Sequence, residues 1–386
     1  MRVGVDYLAA ASHWPGVGRY VRELVRALVR LPDRPDLALY EVGRAPRVVA
    51  PRALGLTIGD PRVQRLQVER SRTLVHAVNV LARRGVDDEL GGLDLFQHAS
   101  LWPEHLRVRR AREAVAVAEL PSEGTPQDSL LAARLARMHG VLTFSNALRS
   151  TLIQRYRLEP AQVVFTPVGC EHWRRTLAEL PPKDDPPRIL VLGAVRAERR
   201  PLVVLRAFER LVERGLDAQL DFACPPPPRG RALDPGAAAL YDALRTSPVA
   251  DKVLWEGRVG ARARPALDPA GFEGSLPDRV ARASVLLHLS ADEGTPVTPL
   301  EALALGVPVV ASRLPAFVEA LGDAAVLVED AACVREPDYL AEILITALNE
   351  RNDGPNAARR ELVARAFTWE RCAEATARAW RKLGSA

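Results

Sequence analysis

Short apolar runs of strand length alternate with longer runs of helical period along the whole chain, and this alternation confines it to a parallel α/β architecture. In the first half, residues 3–7 predict a strand and 18–31 an amphipathic helix. Residues 94–97, 114–118 and 141–144 predict further strands, followed by a helix over 147–156 and a strand over 163–166. The stretch Leu180-Pro181-Pro182-Lys183-Asp184-Asp185-Pro186-Pro187 then places four prolines in eight residues, an extended and semi-rigid joint. After it the pattern restarts, with a strand at 188–192, a helix at 202–214 and strands at 220–223, 285–289, 307–311 and 325–328. The expectation is two doubly wound parallel sheets, over 1–180 and 188–366, with a linker at 181–187 and a closing helix in 367–386. Residues 225–228 and 260–274 predict surface loops of the second sheet.

The 386 residues suffice for two domains with full cores, and 48% apolar with 26% charged residues is the balance of a globular protein. No run of 18 apolar residues occurs, so the sequence predicts no membrane-spanning helix. Charges at Arg2 and Asp6 stand where a signal peptide would be apolar. Cys170, Cys224, Cys333 and Cys372 are scattered, without the spacing of a disulfide framework or a zinc site. The expectation is a cytoplasmic protein without a metal.

Charge is unevenly placed. Residues 1–180 hold 26 Lys and Arg against 19 Asp and Glu, and the remainder holds 27 against 29. A basic first half suits an anionic partner, and the run Arg107-Val108-Arg109-Arg110-Ala111-Arg112 suits either a solvated face or peripheral contact with anionic lipid at the inner membrane face. Only Lys183, Lys252 and Lys382 are lysines; so uniform an arginine bias reads as genome composition, and no nucleic-acid-binding signature accompanies it.

Doubly wound sheets bind ligands beyond the carboxyl ends of their strands, where helix N-termini offer free N–H groups. Gly16 and Gly18 fall in the first such turn, either to admit a ligand close to the backbone or to meet the angles of a tight turn. Glu293 and Glu301 bracket the turn and helix start after the strand at 285–289. Carboxylates there can accept hydrogen bonds from sugar or ribose hydroxyls. Glu301 has a second reading, as the last residue of a capping box over Thr298-Pro299-Leu300-Glu301. Asp6, His13, His98 and His172 fall near strand ends and loops; His98 is the foremost cleft histidine among them, and its other reading, the commoner case, is a solvated loop histidine.

The stretch from Leu286-Leu287-His288-Leu289-Ser290-Ala291-Asp292-Glu293-Gly294 through Pro299-Leu300-Glu301-Ala302 to Val309-Val310-Ala311-Ser312 resembles the signature of family-4 retaining glycosyltransferases. Gly16-Val17-Gly18-Arg19-Tyr20, Ser145-Asn146-Ala147, residues 163–171 and Phe367-Thr368-Trp369-Glu370-Arg371 are similar to other parts of that family, in the same order. The resemblance implies a GT-B fold: two Rossmann-like domains facing a central cleft, the first for the acceptor and the second for a nucleotide sugar, with the last helix crossing back. It also implies Glu293 as the catalytic residue at the donor sugar, Glu301 at the ribose, and Gly16, Gly18, Arg196, Arg199, Gly294 and Thr295 around the donor. No metal and no cofactor beyond the nucleotide sugar is implied.

Three positions depart from the family. Ala118 and Glu119 stand where a His-Asp pair is expected, Glu198 and Arg199 where an Arg-Lys pair faces the diphosphate, and Thr295-Pro296 where the loop is usually Phe-Gly. Arg196 or Arg200 could take over the diphosphate, because arginine grips phosphate through its planar fork. The expected activity is transfer of a sugar from a nucleoside-diphosphate sugar to a hydroxyl acceptor. The alternative is a catalytically silent GT-B protein that serves as partner subunit or binding module.

Overall fold

The computed structural model describes residues 1–13, 16–43, 60–99, 106–224, 234–255, 269–349 and 354–385. The chain forms two units, Met1–Gly169 with Thr368–Ala386, and Cys170–Phe367.

In the first unit the strands are β1 (Arg2–Asp6), β2 (Asp36–Val42), β3 (Val63–Val68), β4 (Leu95–His98), β5 (Arg112–Val117), β6 (Gly140–Thr143) and β7 (Val163–Phe165). They form one parallel sheet in the order β3-β2-β1-β4-β5-β6-β7, so the direction of winding reverses between β1 and β4. Helices cover both faces, so adjacent residues that point to opposite faces, such as Leu37 and Ala38 or Leu95 and Phe96, are both buried. The closing helix, Trp369–Ser385, belongs to this unit. Trp369 packs near Tyr20 with ring centroids 6.1 Å apart, and Trp380 Nε1 donates to Gln97 Oε1 at 3.0 Å.

The second unit holds β8 (Arg188–Leu192), β9 (Gln219–Ala223), β10 (Val253–Trp255), β11 (Val285–His288), β12 (Val309–Ser312) and β13 (Val326–Val328). Their order, β10-β9-β8-β11-β12-β13, is again parallel and reverses between β8 and β11. Ile189, Leu220, Phe222, Val285, Leu287 and Val310 join Phe208 and Leu344 from the flanking helices in one apolar core.

The two doubly wound sheets are as the alternation predicts, and two details differ. The chain changes unit at Gly169–Cys170 and at Phe367–Thr368, whereas the prolines suggested a joint at 181–187. Those residues lie in the second unit, where Lys183 Nζ donates to the carbonyls of Ala281 and Ala283 at 3.0 and 2.9 Å. Helix Pro269–Arg282 begins inside the stretch read as a loop, and residues 225–228 and 260–268 lie outside the described residues.

Residues 109–111 of the basic run form a bend that leads into β5 at Arg112. Asp87 accepts the backbone N–H groups of Arg109, Arg110 and Ala111 at 2.9, 2.7 and 3.1 Å. These bonds hold its carboxyl below the usual range against the opposing effect of burial. Arg109 and Arg110 remain exposed. No helix among the described residues is long and apolar enough to cross a membrane, and all four cysteines are buried free thiols.

Candidate functional site

In the second unit, two loops leave the carboxyl ends of β8 and β11, where the strand order reverses. Such reversals leave a crevice because the two neighbouring crossovers run to opposite faces of the sheet. A small cleft there is lined by Leu192, Gly193, Ala194, Arg199, Leu287 and His288.

The loop after β8 carries Arg196, a short 3-10 turn over Ala197–Arg199, and Arg200. Ala197 N donates to Asp234 Oδ1 at 2.9 Å, and Ala291 N donates to the Glu198 carbonyl at 2.9 Å. The two strand-end loops are therefore tied to each other and to helix Pro235–Leu244. Arg200 has a left-handed backbone (φ 54°) and turns its guanidinium to Asp330, with Nη2 to Oδ2 at 2.9 Å. Arg196 is exposed, and so is Glu198.

Arg199 points into the site. Its Nη1 donates to Glu293 Oε2 at 2.6 Å. His288, at the end of β11, brings Nε2 to 2.8 Å from the same Oε2 and into contact with Arg199 Nη1. Burial lowers the His288 basicity first; Glu293 opposes that effect and Arg199 adds to it. Burial acts to raise the Glu293 carboxyl, but the charges and hydrogen bonds of His288 and Arg199 prevail and hold it below the usual range.

Glu301 lies on helix Val297–Ala304 and is fully buried. The capping box expected for it does not form: the helix starts at Val297, the N-cap position is Pro296, and Thr298 lies inside the first turn. Its carboxylate faces His172 instead, with Oε1 3.4 Å from Nε2. Thr295 is buried and Gly294 half-buried in the turn between the two glutamates. The structure thus brings Arg199, His288 and Glu293 into direct contact and gives Glu301 a separate partner.

Gly16 and Gly18 lie in the first unit. Gly16 precedes helix Val17–Leu28 with φ 71°, a backbone region that glycine occupies without strain. A Cβ placed there would meet nothing within 4 Å, whereas Gly18 is buried within the helix. Ala118 is half-buried and Glu119 exposed after β5. His98 is buried in β4 against Glu113, at 2.8 Å, and His13 lies 3.2 Å from Arg22.

Sequence reasoning missed His288 and Asp234. His288 sits in a run that reads as a plain buried strand, and Asp234 carries only the ordinary signal of an N-cap before Pro235.

Residues 186–350 match the family model for glycosyl transferases group 1. That span contains Arg199, His288, Glu293 and Glu301. No curated protein sequence matches the chain. Among solved structures, sucrose-phosphate synthase from Thermosynechococcus elongatus is similar with a TM-score of 0.67 at 16% identity, covering 100% of this chain and 99% of that one. Alr3699/HepE from Anabaena, in complex with UDP and glucose, gives 0.65 at 14% identity over 98% of both chains. A glycosyltransferase from Rickettsia africae ESF-5 gives 0.63 at 13%, over 99% and 98%. These likenesses show the fold. It is GT-B, with two Rossmann-like parallel-sheet units.

Proposed function

We propose that the chain is a retaining family-4 glycosyltransferase, a cytoplasmic enzyme that moves a hexosyl-type sugar from a nucleoside diphosphate to a hydroxyl acceptor. The observation that carries this reading is the meeting of Arg199 and Glu293 at the winding reversal of the second sheet, within the span matched by the group-1 model. A cation at such a strand end suits a diphosphate, and a carboxylate beside it suits sugar hydroxyls. The Alr3699/HepE structure, named for its complex with UDP and glucose, has the same fold and is consistent with a nucleotide-sugar donor.

In this reading Glu293 orients the donor sugar and Glu301 serves the ribose. Arg199, with Arg196 and the backbone of Gly294 and Thr295, faces the diphosphate. The bond from the anomeric carbon to the diphosphate oxygen breaks while the acceptor hydroxyl bonds the same face. Its proton passes to the departing phosphate oxygen, whose charge Arg199 stabilises. No metal or further cofactor enters the proposal. The first unit is assigned to the acceptor, with Gly16 and Gly18 kept among the donor-binding residues, and its arginine excess suits peripheral contact with an anionic membrane.

Calorimetric titration with UDP, GDP and dTDP, on wild type and Glu301→Ala, tests this. Binding of one nucleotide, weakened by the substitution, is the expected result. A folded wild-type protein that binds none of the three would overturn the reading in favour of a catalytically silent partner subunit.

A further inference from the structure

Arg199 Nη1, His288 Nε2 and Glu293 Oε2 form a closed triangle in which every pair lies within hydrogen-bond distance. One imidazole nitrogen cannot serve both neighbours. Unprotonated, Nε2 accepts from Arg199 and turns its lone pair toward the carboxylate oxygen. Protonated, it donates to Glu293 and turns its hydrogen toward the guanidinium hydrogens. No protonation state satisfies all three sides, so the arrangement is completed only when one member finds another partner. Arg199 is the member able to leave, because its side chain is a quarter exposed whereas His288 is 2% exposed.

We infer that His288 is a positioning residue that releases Arg199 to a diphosphate and then holds Glu293 in its place. Once a phosphate oxygen accepts the Arg199 N–H, His288 Nε2 carries a hydrogen and donates it to Glu293 Oε2. The carboxylate stays ionised and oriented although its arginine has gone. This inference rests on the reading of the site as one for a nucleoside diphosphate. Arg199 and Glu293 are the charged groups that act on His288. Ala311 on β12 pairs with it, and the Phe317 ring packs 5.7 Å away, both without charge. Withdrawal of Arg199 removes an influence that disfavours the imidazolium and leaves the one that favours it, so binding draws a proton onto the ring.

The test compares wild type, His288→Gln and His288→Leu by calorimetric titration with UDP, GDP and dTDP between pH 6 and 8, in buffers of different ionisation enthalpy. Glutamine supplies an N–H donor near the Nε2 position but does not titrate, and leucine fills similar space without a donor. Wild type is expected to take up protons on binding and to bind more tightly at the lower pH. His288→Leu is expected to lose roughly tenfold in affinity, the size of one hydrogen bond to a charged group. His288→Gln is expected to recover most of that affinity with no proton uptake. The inference is overturned if the two variants bind alike, or if proton uptake is the same in wild type and His288→Gln. If wild type binds none of the nucleotides, the reading of the site itself fails and takes this inference with it; nucleotide binding that ignores His288 overturns the inference alone.

Discussion

Asp234 Oδ1 accepts the backbone N–H of Ala197 at 2.9 Å and that of Gly236 at 2.8 Å. One carboxylate oxygen therefore caps helix Pro235–Leu244 and clamps the turn that carries Arg196 and Arg199. The approach is close enough that a Cβ on Gly236 would lie 2.4 Å from Ala197 N and 2.5 Å from the Arg196 carbonyl carbon. Glycine is required there because those atoms are backbone and cannot swing aside.

Replacing Asp234 with alanine is expected to destabilise the protein by about 1 kcal/mol, the ordinary cost of an N-cap, and to weaken nucleotide binding because the arginine turn loses its anchor. Asparagine keeps an accepting oxygen and is expected to restore most of both. Urea denaturation and nucleotide titration on the two variants check this, and an alanine variant with unchanged affinity would show that the clamp does not govern the site.

Stability is expected to fall with acidity through the same cluster. The ordinary values are 6.5 for a histidine and 4.5 for a glutamate, and both His288 and Glu293 lie below theirs in the folded chain. The unfolded chain then binds more protons, so stability rises with pH. The Glu293 contribution is present above its unfolded value of 4.5 and is lost as pH falls through the folded value. Protonation of the unfolded imidazole starts to erode stability already below 6.5. Denaturation midpoints from pH 3 to 8 are expected to show Glu293→Gln flattening the lower part of the curve and His288→Gln the upper part.

Lys183 supplies a dependence at the alkaline end. Burial lowers its amine to about 8 from an ordinary 10.5, Arg360 assists, and Asp184 opposes. Between those values the unfolded chain binds more protons, so this group makes stability rise with pH across that window. Lys183→Met is expected to abolish the rise. If wild type and variant have parallel stability curves from pH 8 to 10, the amine is not perturbed in the folded chain.

At the start of β6, a Cβ on Gly140 would lie 2.2 Å from Leu383 Cδ1 on the closing helix. Gly140→Ala is expected to cost about 1–3 kcal/mol by overpacking. In a Leu383→Ala background the penalty is expected to shrink, since the obstructing side chain is gone. A double-mutant cycle by thermal denaturation reads the coupling, and additive effects would separate the two positions.

Much of this structure is legible in the chain because interior parallel strands are buried on both faces and read as apolar runs. Residues 188–192 are predicted and found as β8, and the strand at 285–289 differs from β11 by one residue. The strands that escaped have physical reasons. In β2 a glutamate, Glu41, interrupts the run and is tolerated because Arg65 and Gln67 on the neighbouring strand bind it. β3 is an edge strand, half-exposed and polar, and β10 has only three residues. At the site, the sequence points to Glu293 and Arg199 but not to their mutual ion pair, because 94 residues separate them along the chain.

The two parallel sheets, the strand ends at which chemistry could gather and the two glutamates are written in local patterns of the chain, since periodicity and turn residues are local properties. What each charged side chain meets is set by the folded arrangement alone. It gave Arg199 and His288 to Glu293, Arg200 to Asp330, and His172 to Glu301, and it left Arg196 exposed. The reason is that burial and ion pairing depend on which loops the sheet order brings together. β8 and β11 are neighbours in space although nearly a hundred residues apart in sequence, and no local pattern records that adjacency.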